Sequence, residues 1–434
     1  MKKALYFSVL LLSLGALFTS CKRNTVVSSI KRDDLFSLKY GNFENQLNLF
    51  DLAETGDMIP TSMAMKNGFF YISNGESKKL LEMNSYGDLL TLYYNREENP
   101  SPLFNSSSVN NTGNTQKNQE VSTRKIIEYP FNMPSKIVVD SKQRIYTVEL
   151  LPQERQENDG QRILRQVVLR FNNNSFIDYI GQQGPGGTPF PYIKDIYTTT
   201  NNELVVICIV PDGLEVFWFS ESGYLLHNIL INSKDAPNPI EETSDVSTYL
   251  KVENIVPDSK DYKLFVKIDY YNATIDETSK IQSGIEYNST YVYPLDAVTG
   301  KYGRPVLIPP YEEVITQGFS KVVYKNPYDF LGVSDSNWLF FTITTDQGYI
   351  VQIVDPNGSR VIKRLLQFDN EKILFQHFSL SGEGIVSALL ASKDKADVVW
   401  WRTDSLLAAL LKNSIRKING IRRYHARNKG AISG

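Results

Sequence analysis

The sequence is poor in the residues that build most catalytic and metal centres. Its 434 residues include 2 cysteines and 3 histidines. The histidines, His227, His377 and His425, are far apart and form no H-x-x-H or cysteine-paired motif, so we do not expect a zinc site built on histidine. Cys208 lies in the apolar run 205–210, where a cysteine behaves as a small buried hydrophobe, and we expect no catalytic role for it.

A charge imbalance and catalytic signature motifs are also lacking. Lys and Arg number 46 against 48 Asp and Glu, for a net charge of -2, which argues against a nucleic-acid binder. No Gly-x-Ser-x-Gly elbow occurs, and the glycine-rich stretch 184–187 is not followed by Lys-Ser or Lys-Thr. The stretch 355–358, Asp-Pro-Asn-Gly, favours a hairpin turn over a calcium loop because later carboxylate ligands are missing. We therefore predict no catalytic residue and no cofactor.

Apolar and aromatic residues are plentiful, at 41% and 12%, which is enough for a packed core. From residue 35 to residue 404 one unit recurs, with an alternating strand, a tight polar turn, a second strand and, after a variable gap, a third strand. The first strands of the six units contain Met63, Ile137, Ile196, Ile255, Leu331 and Phe378. Asn-Gly and Ser-Gly turns between such strands are typical of antiparallel hairpins.

A small antiparallel sheet cannot bury both of its faces alone, whereas sheets packed radially around an axis can. The repeats therefore predict an all-β fold, a six-bladed β-propeller over residues 35–404, and a seventh blade hidden in the long gaps stays open. A pair of β-sandwiches is the alternative. A strand at residues 35–40 precedes the first unit and the sixth unit lacks an outer strand, so we predict that the amino-terminal strand completes the last blade.

Polar insertions interrupt the repeats, and a basic segment follows them. Residues 99–123, 153–161 and 272–284 are expected to be mobile surface loops. After Asp404, which suits a helix cap, residues 405–434 predict a basic amphipathic helix and tail. Its apolar positions are Leu407, Leu410, Leu411, Ile415, Ile418 and Ile421. Such a helix can contact an anionic membrane or a partner, or dock its leucines on the propeller, and the second interpretation is slightly favoured.

The first residues have the pattern of an export signal. Lys2 and Lys3 supply positive charge, residues 4–17 are apolar and uncharged, and small residues precede Cys21. The apolar run is shorter than the ~20 residues of a membrane-spanning helix. This order resembles a bacterial lipoprotein signal, although Phe18 stands where that family usually has a smaller aliphatic residue. An ordinary secretory signal that contains a cysteine is the alternative.

The lipoprotein resemblance implies cleavage after Ser20 and lipid attachment at Cys21. Residues 1–20 are then a signal peptide, and residues 21–34 are a tether that holds the propeller at a membrane. The resemblance also implies a location in the bacterial cell envelope, at the periplasmic face or the outer membrane.

One stretch of the repeats has the order of an NHL repeat. It runs from Gly-Gln-Gln-Gly at residues 181–184 through Phe190, Pro191 and the strand at Ile196 to the closing Gly223. Residues 35–401 therefore resemble NHL-type propellers, and together with the signal they are similar to poorly characterised spirochaetal lipoproteins with such propellers. The regular aspartate of many NHL repeats is missing here. The resemblance implies a fold and no particular chemistry.

These expectations combine into a lipid-anchored envelope propeller that acts as a non-catalytic binding or scaffold module. Its expected partners are the membrane, through Cys21, and a protein or envelope component bound at the top face or channel. The basic tail adds a contact with an anionic surface. The alternative is a metal-dependent, calcium-type hydrolase or lyase with its site in the propeller channel, whose ligands the sequence leaves open.

Overall fold

The computed structural model describes residues 27–50, 60–103, 124–240, 247–276, 278, 281–317 and 320–409. Within these residues, six sheets of four or five strands surround a central axis as the blades of a propeller. The predicted all-β, six-bladed fold is thereby confirmed. No helix in this part of the chain is long and apolar enough to cross a bilayer.

The amino-terminal half forms three blades. Three strands come first: β1 (Ser29–Ile30), β2 (Arg32–Tyr40) and β3 (Gln46–Leu47). Blade 1 contains β4 (Thr61–Lys66), β5 (Phe69–Asn74), β6 (Lys79–Met83), β7 (Leu89–Tyr94) and β8 (Lys125–Glu128). Blade 2 contains β9 (Pro134–Val139) and β10 (Ile145–Leu150), the inserted ribbon β11 (Glu157–Asn158) and β12 (Ile163–Leu164), then β13 (Gln166–Asn172), β14 (Ser175–Gly181) and β15 (Gly184–Pro185). Blade 3 contains β16 (Tyr192–Thr198), β17 (Leu204–Val210), β18 (Gly213–Phe219) and β19 (Leu225–Asn232).

The carboxyl-terminal half forms the other three. Blade 4 contains β20 (Thr248–Pro257), β21 (Lys263–Ile275), β22 (Gln282–Asp296) and β23 (Val306–Ile308). A separate ribbon follows, made of β24 (Tyr311–Gln317) and β25 (Ser320–Asn326). Blade 5 contains β26 (Asp329–Val333), β27 (Leu339–Thr345), β28 (Gly348–Val354) and β29 (Val361–Gln367), and blade 6 contains β30 (Phe375–Leu380), β31 (Val386–Ala391) and β32 (Ala396–Trp401). Short 3₁₀ helices lie at Gln153–Arg155, Ser233–Asp235 and Asn370–Lys372, and an α-helix covers residues 404–409.

The predicted turns explain why the sequence forms these hairpins. Between β4 and β5, Asn67 and Gly68 both adopt positive φ, at 53° and 79°. Two such residues form the turn whose twist matches that of the flanking strands, and Asn-Gly tolerates this backbone best. The predicted turn at 355–358 joins β28 to β29 and closes with a 2.9 Å hydrogen bond from the Gly358 amide to the Asp355 carbonyl.

The amino-terminal strand closes the ring, as predicted. β2 pairs antiparallel with β32 of blade 6, from Arg32 opposite Trp401 to Leu38 opposite Ala396. β1 pairs with β29 on the outer edge of blade 5. Strand pairing therefore begins within residues 29–34, the end of the segment that the sequence assigns to the tether.

The hydrophobic core lies between neighbouring blades. Between blades 5 and 6, for example, the rings of Phe378 and Trp401 stack with centroids 6.1 Å apart. Leu407, the first apolar position of the predicted carboxyl-terminal helix, is buried in the same cluster. Each such side chain contributes ~2 kcal/mol through burial. The helix therefore begins by docking on the propeller, whereas Leu410 and the later positions lie outside the described residues.

The two faces of the propeller differ in their connections. The innermost strands all begin at the same face of the propeller, which we term the upper face. These strands are β4, β9, β16, β20, β26 and β30. Strand direction alternates within each blade, so successive connections lie alternately at the lower and the upper face. Tight turns such as 67–68 and 84–88 lie at the lower face, whereas the long connections that leave β10, β19 and β23 lie at the upper face. Long loops and ribbons on a rigid scaffold commonly carry recognition.

The structure corrects one loop prediction. Residues 272–284 were expected to be a mobile loop, but β21 extends to Ile275 and β22 begins at Gln282, so most of the segment is paired strand. Its polar composition misled the prediction because these strands are exposed and need no apolar face. The insertion 153–161 holds a 3₁₀ turn and β11, and most of 99–123 lies outside the described residues.

Candidate functional site: the upper mouth of the central channel

A cavity of about 210 Å³ runs along the axis and is lined by residues of all six blades. It extends from the middle of the innermost strands to the turns that follow them at the lower face. Three of these strands place a polar side chain at the same position, at the upper end of the cavity, which we term the mouth. Lys136, Asp195 and His377 each stand three residues before the last residue of their strand, on β9, β16 and β30. All three line the cavity. The propeller geometry therefore brings together polar side chains from three distant parts of the sequence.

Four of the innermost strands carry a β-bulge at this level. The register shifts leave Lys194 of β16, Glu253 of β20 and Leu331 of β26 without an opposing residue. In β9, Ser135 and Lys136 together face the single residue Val148. Bulges bend a strand and re-aim its side chains, and they are common beside functional sites. The bulges therefore determine the direction in which the side chains around the mouth point.

Polar contacts join neighbouring blades around the mouth. The Lys194 ammonium donates to the Glu253 carbonyl, from blade 3 to blade 4. The Asn254 amide nitrogen donates to the Phe330 carbonyl at 3.2 Å, from blade 4 to blade 5. The Ser62 hydroxyl donates to the Ser135 carbonyl at 2.8 Å, from blade 1 to blade 2. In each of these hydrogen bonds a side chain of one blade donates to a backbone carbonyl of the next blade. The bonds therefore hold neighbouring blades in register.

Lys136 and Asp195 form a loose charge pair. The Lys136 Nζ lies 3.9 Å from the Asp195 Oδ1, and both side chains keep about a third of their surface exposed. The Tyr197 hydroxyl donates to the other oxygen, Asp195 Oδ2, at 3.4 Å. Burial, reinforced by the Asp195 charge, raises the pKa of Tyr197 well above its ordinary value. Tyr197 therefore remains a neutral hydrogen-bond donor.

His377 is a partly buried titratable group of the mouth. Its Nδ1 accepts a 3.3 Å hydrogen bond from the Met63 amide, across the seam between blades 6 and 1. Burial, with a smaller effect of the Lys136 charge, lowers the pKa of His377 to about 3. The imidazole is therefore neutral near pH 7 and, with Nδ1 accepting, carries its proton on Nε2.

A buried charge cluster lies on the adjoining face of blade 4. Lys267 is 1% exposed, and its Nζ lies 3.1 Å from Glu253 Oε2 and 2.7 Å from Asp269 Oδ2. The Thr290 hydroxyl donates to the other oxygen of Asp269 at 2.5 Å. Since Glu253 is also the bulged residue of β20, the cluster is connected to the mouth of the channel.

The pKa values of His377 and Tyr197 lie outside the range of general acid–base catalysts. His377 protonates far below neutral pH and Tyr197 ionises far above it, so neither matches the pKa near 7 that general acid–base catalysis favours. The cavity is smaller than the ~300 Å³ at which typical ligand pockets begin. In the part of the chain that the structure describes, no three His, Cys, Asp or Glu side chains are grouped closely enough to hold a metal ion.

The residues singled out in the sequence have other places. Cys21 and His425 lie outside the described residues. Cys208 is fully buried, and burial raises its pKa, which agrees with a structural role. His227 packs against the Tyr262 ring at 5.1 Å, remote from the mouth. The glycine-rich stretch 184–187 lies in the connection from blade 2 to blade 3, as expected.

Sequence reasoning missed Lys136 and Asp195 altogether and treated His377 as isolated. A signal was present, because the three occupy one position of the repeat, counted back from the turn that ends each first strand. The rough repeats of the carboxyl-terminal half obscured this register. Aligning the units on their turns would have predicted a shared ring.

Two ribbons extend from the strands of the upper face, and we term them the twin ribbons. One is the end of the β21–β22 hairpin beyond its pairing with β20, and the other is the β24–β25 hairpin. Exposed apolar side chains cover both: Ile275, Ile281, Ile285, Val314, Ile315, Val323 and Tyr324. Val314 and Val323 are directly paired across the strands and are 56% and 50% exposed.

No family model matches the chain, and no curated protein matches it by sequence. Among solved structures, a polysaccharide lyase is 6% identical with a TM-score of 0.38, covering 86% of this chain and 99% of that one. A gluconolactonase from Xanthomonas campestris is 9% identical with a TM-score of 0.35, covering 88% and 99%. A calcium-binding regucalcin from Agrobacterium tumefaciens is 9% identical with a TM-score of 0.35, covering 81% and 93%. Similarity this weak carries no argument about the chemistry of this chain.

Proposed function

We propose that this protein is a lipid-anchored envelope propeller that binds a protein partner through its upper face without catalysing a reaction. The observation that carries the proposal is the pair of twin ribbons. An isolated two-stranded ribbon is only marginally stable in water, and the β24–β25 ribbon pairs with no other described strand. The exposed valine pair of this ribbon, Val314 and Val323, stabilises the ribbon only when another surface covers it.

The type of partner follows from the surface. Contiguous exposed apolar side chains mark interaction sites more often than they occur by chance on a monomer. The ribbons combine apolar residues with charged ones, namely Glu312, Glu313, Lys321 and Lys325. A mixed apolar and charged surface suits a folded protein better than a sugar or a small metabolite.

The anchor in this proposal is Cys21, after removal of residues 1–20, and the location is the envelope, at the periplasmic face or the outer membrane. Residues 27–30 run along the outer edge of blade 5, so a tether that ends there holds the propeller by its rim. The upper face then stays accessible to a partner. The NHL subtype and the likeness to spirochaetal lipoproteins belong to this proposal as its family context.

Site-specific photo-cross-linking in intact cells tests the proposal. A cross-linking residue at Val323, on the β24–β25 ribbon, is compared with one at Tyr86, a more exposed position on a lower-face turn. We expect a defined protein adduct from position 323 alone. The purified partner should then bind the propeller and lose at least tenfold in affinity, ~1.4 kcal/mol, upon Val314→Asp.

Identical adducts from both positions, or unchanged binding by Val314→Asp, would contradict the proposal. A metal analysis of the purified protein addresses the enzymatic alternative. Stoichiometric calcium or zinc that survives dialysis would support a metal-dependent hydrolase or lyase with its site in the channel.

A further inference from the structure

The outer edge of blade 3 differs from those of most other blades. In blades 1, 2, 5 and 6 a short fifth strand pairs with part of the outer strand: β8, β15, β1 and β3, respectively. Blade 3 ends at β19, an eight-residue strand with no further strand among the described residues. Within the same residues no backbone hydrogen bond reaches its outward amide and carbonyl groups, which can therefore pair with another strand.

The composition of β19 lacks the features that usually protect an edge. The strand reads Leu-Leu-His-Asn-Ile-Leu-Ile-Asn and contains no Lys, Glu, Asp or Pro. Natural edge strands are commonly protected by charges, prolines or short length. Leu226 and Leu230 are exposed, and Leu230 lies on the same side as Asn228, whereas Ile229 and Ile231 pack towards blade 4. The uncovered edge therefore has one buried face and one exposed apolar face.

The order of residues suits pairing of the strand with itself. In an antiparallel pair with a two-fold axis at Asn228, Leu226 of one strand lies opposite Leu230 of the other, and the two Asn228 residues face each other. No like charges meet in this arrangement, because the strand has none. The register against β18 shifts beside Leu226, and from His227 to Asn232 the strand pairs regularly.

We propose that two copies of this chain associate through antiparallel pairing of β19 about Asn228, joining the two third blades into one continuous sheet. The exposed leucines then form cross-strand pairs, which stabilise antiparallel sheets. A two-fold contact of this kind is closed, so it yields a dimer and no filament. The dimer leaves the twin ribbons of both copies uncovered, since β19 lies at the rim of a different blade. The inference is independent of the proposed partner at the upper face.

Sedimentation velocity of the chain carrying Cys21→Ser, over a range of concentrations, tests the dimer. We expect a monomer–dimer equilibrium that Asn228→Lys weakens at least tenfold, because two like charges then face each other on the axis. The matched control is Ile177→Lys, which places the same charge at an exposed position on the outer strand β14 of blade 2. The control should leave the equilibrium unchanged. A monomer at every concentration, or equal effects of the two variants, would overturn the proposal.

Disulfide trapping tests the register. Residues opposite each other in an antiparallel pair have Cα atoms ~4.5–5.5 Å apart, within disulfide range. Asn228→Cys should therefore form a covalent dimer under mild oxidation, and Cys208 does not compete because it is buried. Leu226→Cys and Leu230→Cys should cross-link efficiently only when the two variants are mixed. A dimer that Asn228→Cys fails to trap would refute pairing about this residue.

Discussion

At the residue scale, Lys79 and Glu149 are buried groups with opposite effects of pH. Both lie outside the channel, near the upper ends of blades 1 and 2. Neither could be recognised from the sequence, because a lysine in an alternating strand is expected to face solvent. Burial depends on which segments cover the strand, and here residues 41–50, which come from another part of the chain, supply part of the cover.

Lys79 is 1% exposed and donates one hydrogen bond, at 2.8 Å, to the Phe43 carbonyl. Burial lowers the pKa of Lys79 to about 7, and the Glu44 charge offsets this in part. The unfolded chain binds the proton up to a pKa of ~10.4, so stability rises with pH between about 7 and 10. We predict that Lys79→Met removes this rise and stabilises the fold below pH 8 by ~1–2 kcal/mol. Urea unfolding of both proteins at several pH values measures the difference.

The burial of Glu149 has the opposite effect on the pH dependence of stability from that of Lys79. Burial raises the pKa of Glu149 to about 8, although the backbone amide of Asn132 donates to it. Its second oxygen, Oε2, has no hydrogen-bond partner. An unfolded Glu titrates at ~4.3, so stability falls as pH rises from about 4 to about 8. Glu149→Gln should flatten this fall and stabilise the fold at pH 8 by ~2 kcal/mol. Equal pH dependence in the two proteins would contradict the assignment.

At the element scale, the sequence predicted the inner strands and hairpin turns but not the outer strands. Inner strands are buried on both sides and read as apolar or alternating runs, whereas β14, β19 and β29 are half exposed and lack that signal. The twin ribbons were missed for the same reason. Bulges at Lys194 and Glu253 also escape sequence reading, because a bulge is a property of the pairing between two strands.

The charge cluster of blade 4 gives a prediction at this scale. Lys267 separates two carboxylates in a buried site, and its removal leaves them uncompensated. We predict that Lys267→Met destabilises the fold by ~3 kcal/mol. Lys251→Met, at an exposed position of the neighbouring strand β20, is the control and should cost less than ~0.5 kcal/mol.

Urea unfolding curves give both values. Adding Asp269→Asn to Lys267→Met should recover part of the loss, because it removes one of the unpaired charges. No recovery would mean that the lysine acts through packing alone.

At the scale of the whole molecule, closure of the ring depends on the amino-terminal strand. Leu38 of β2 is buried in the cluster between blades 6 and 1, and β2 covers the edge of β32 along its length. A chain that begins at residue 29 should fold, whereas a chain that begins at residue 42 should expose that edge and fail to unfold cooperatively. Circular dichroism during thermal unfolding distinguishes the two, and similar midpoints would contradict this role of β2.

The anchor is also tested on the whole molecule. Replacing the proposed acylated residue, Cys21→Ala, should move the protein from the membrane fraction to the soluble fraction of lysed cells. Cys208→Ala is the control, since a thiol that is fully buried is not available for acylation. Retention of the Cys21 variant in membranes would contradict lipid anchoring.

The sequence by itself predicted six blades while leaving a seventh open, and it predicted the hairpin turns and the strand that closes the ring. These features depend on local alternation and turn residues, which are written in consecutive positions. Only the tertiary structure decided which side chains share a site. Lys136, Asp195 and His377 come from blades 2, 3 and 6, and they line one cavity because radial packing places the innermost strands around the same axis. Burial of Lys79 and exposure of β19 were decided in the same way, since both depend on which other segments cover a strand.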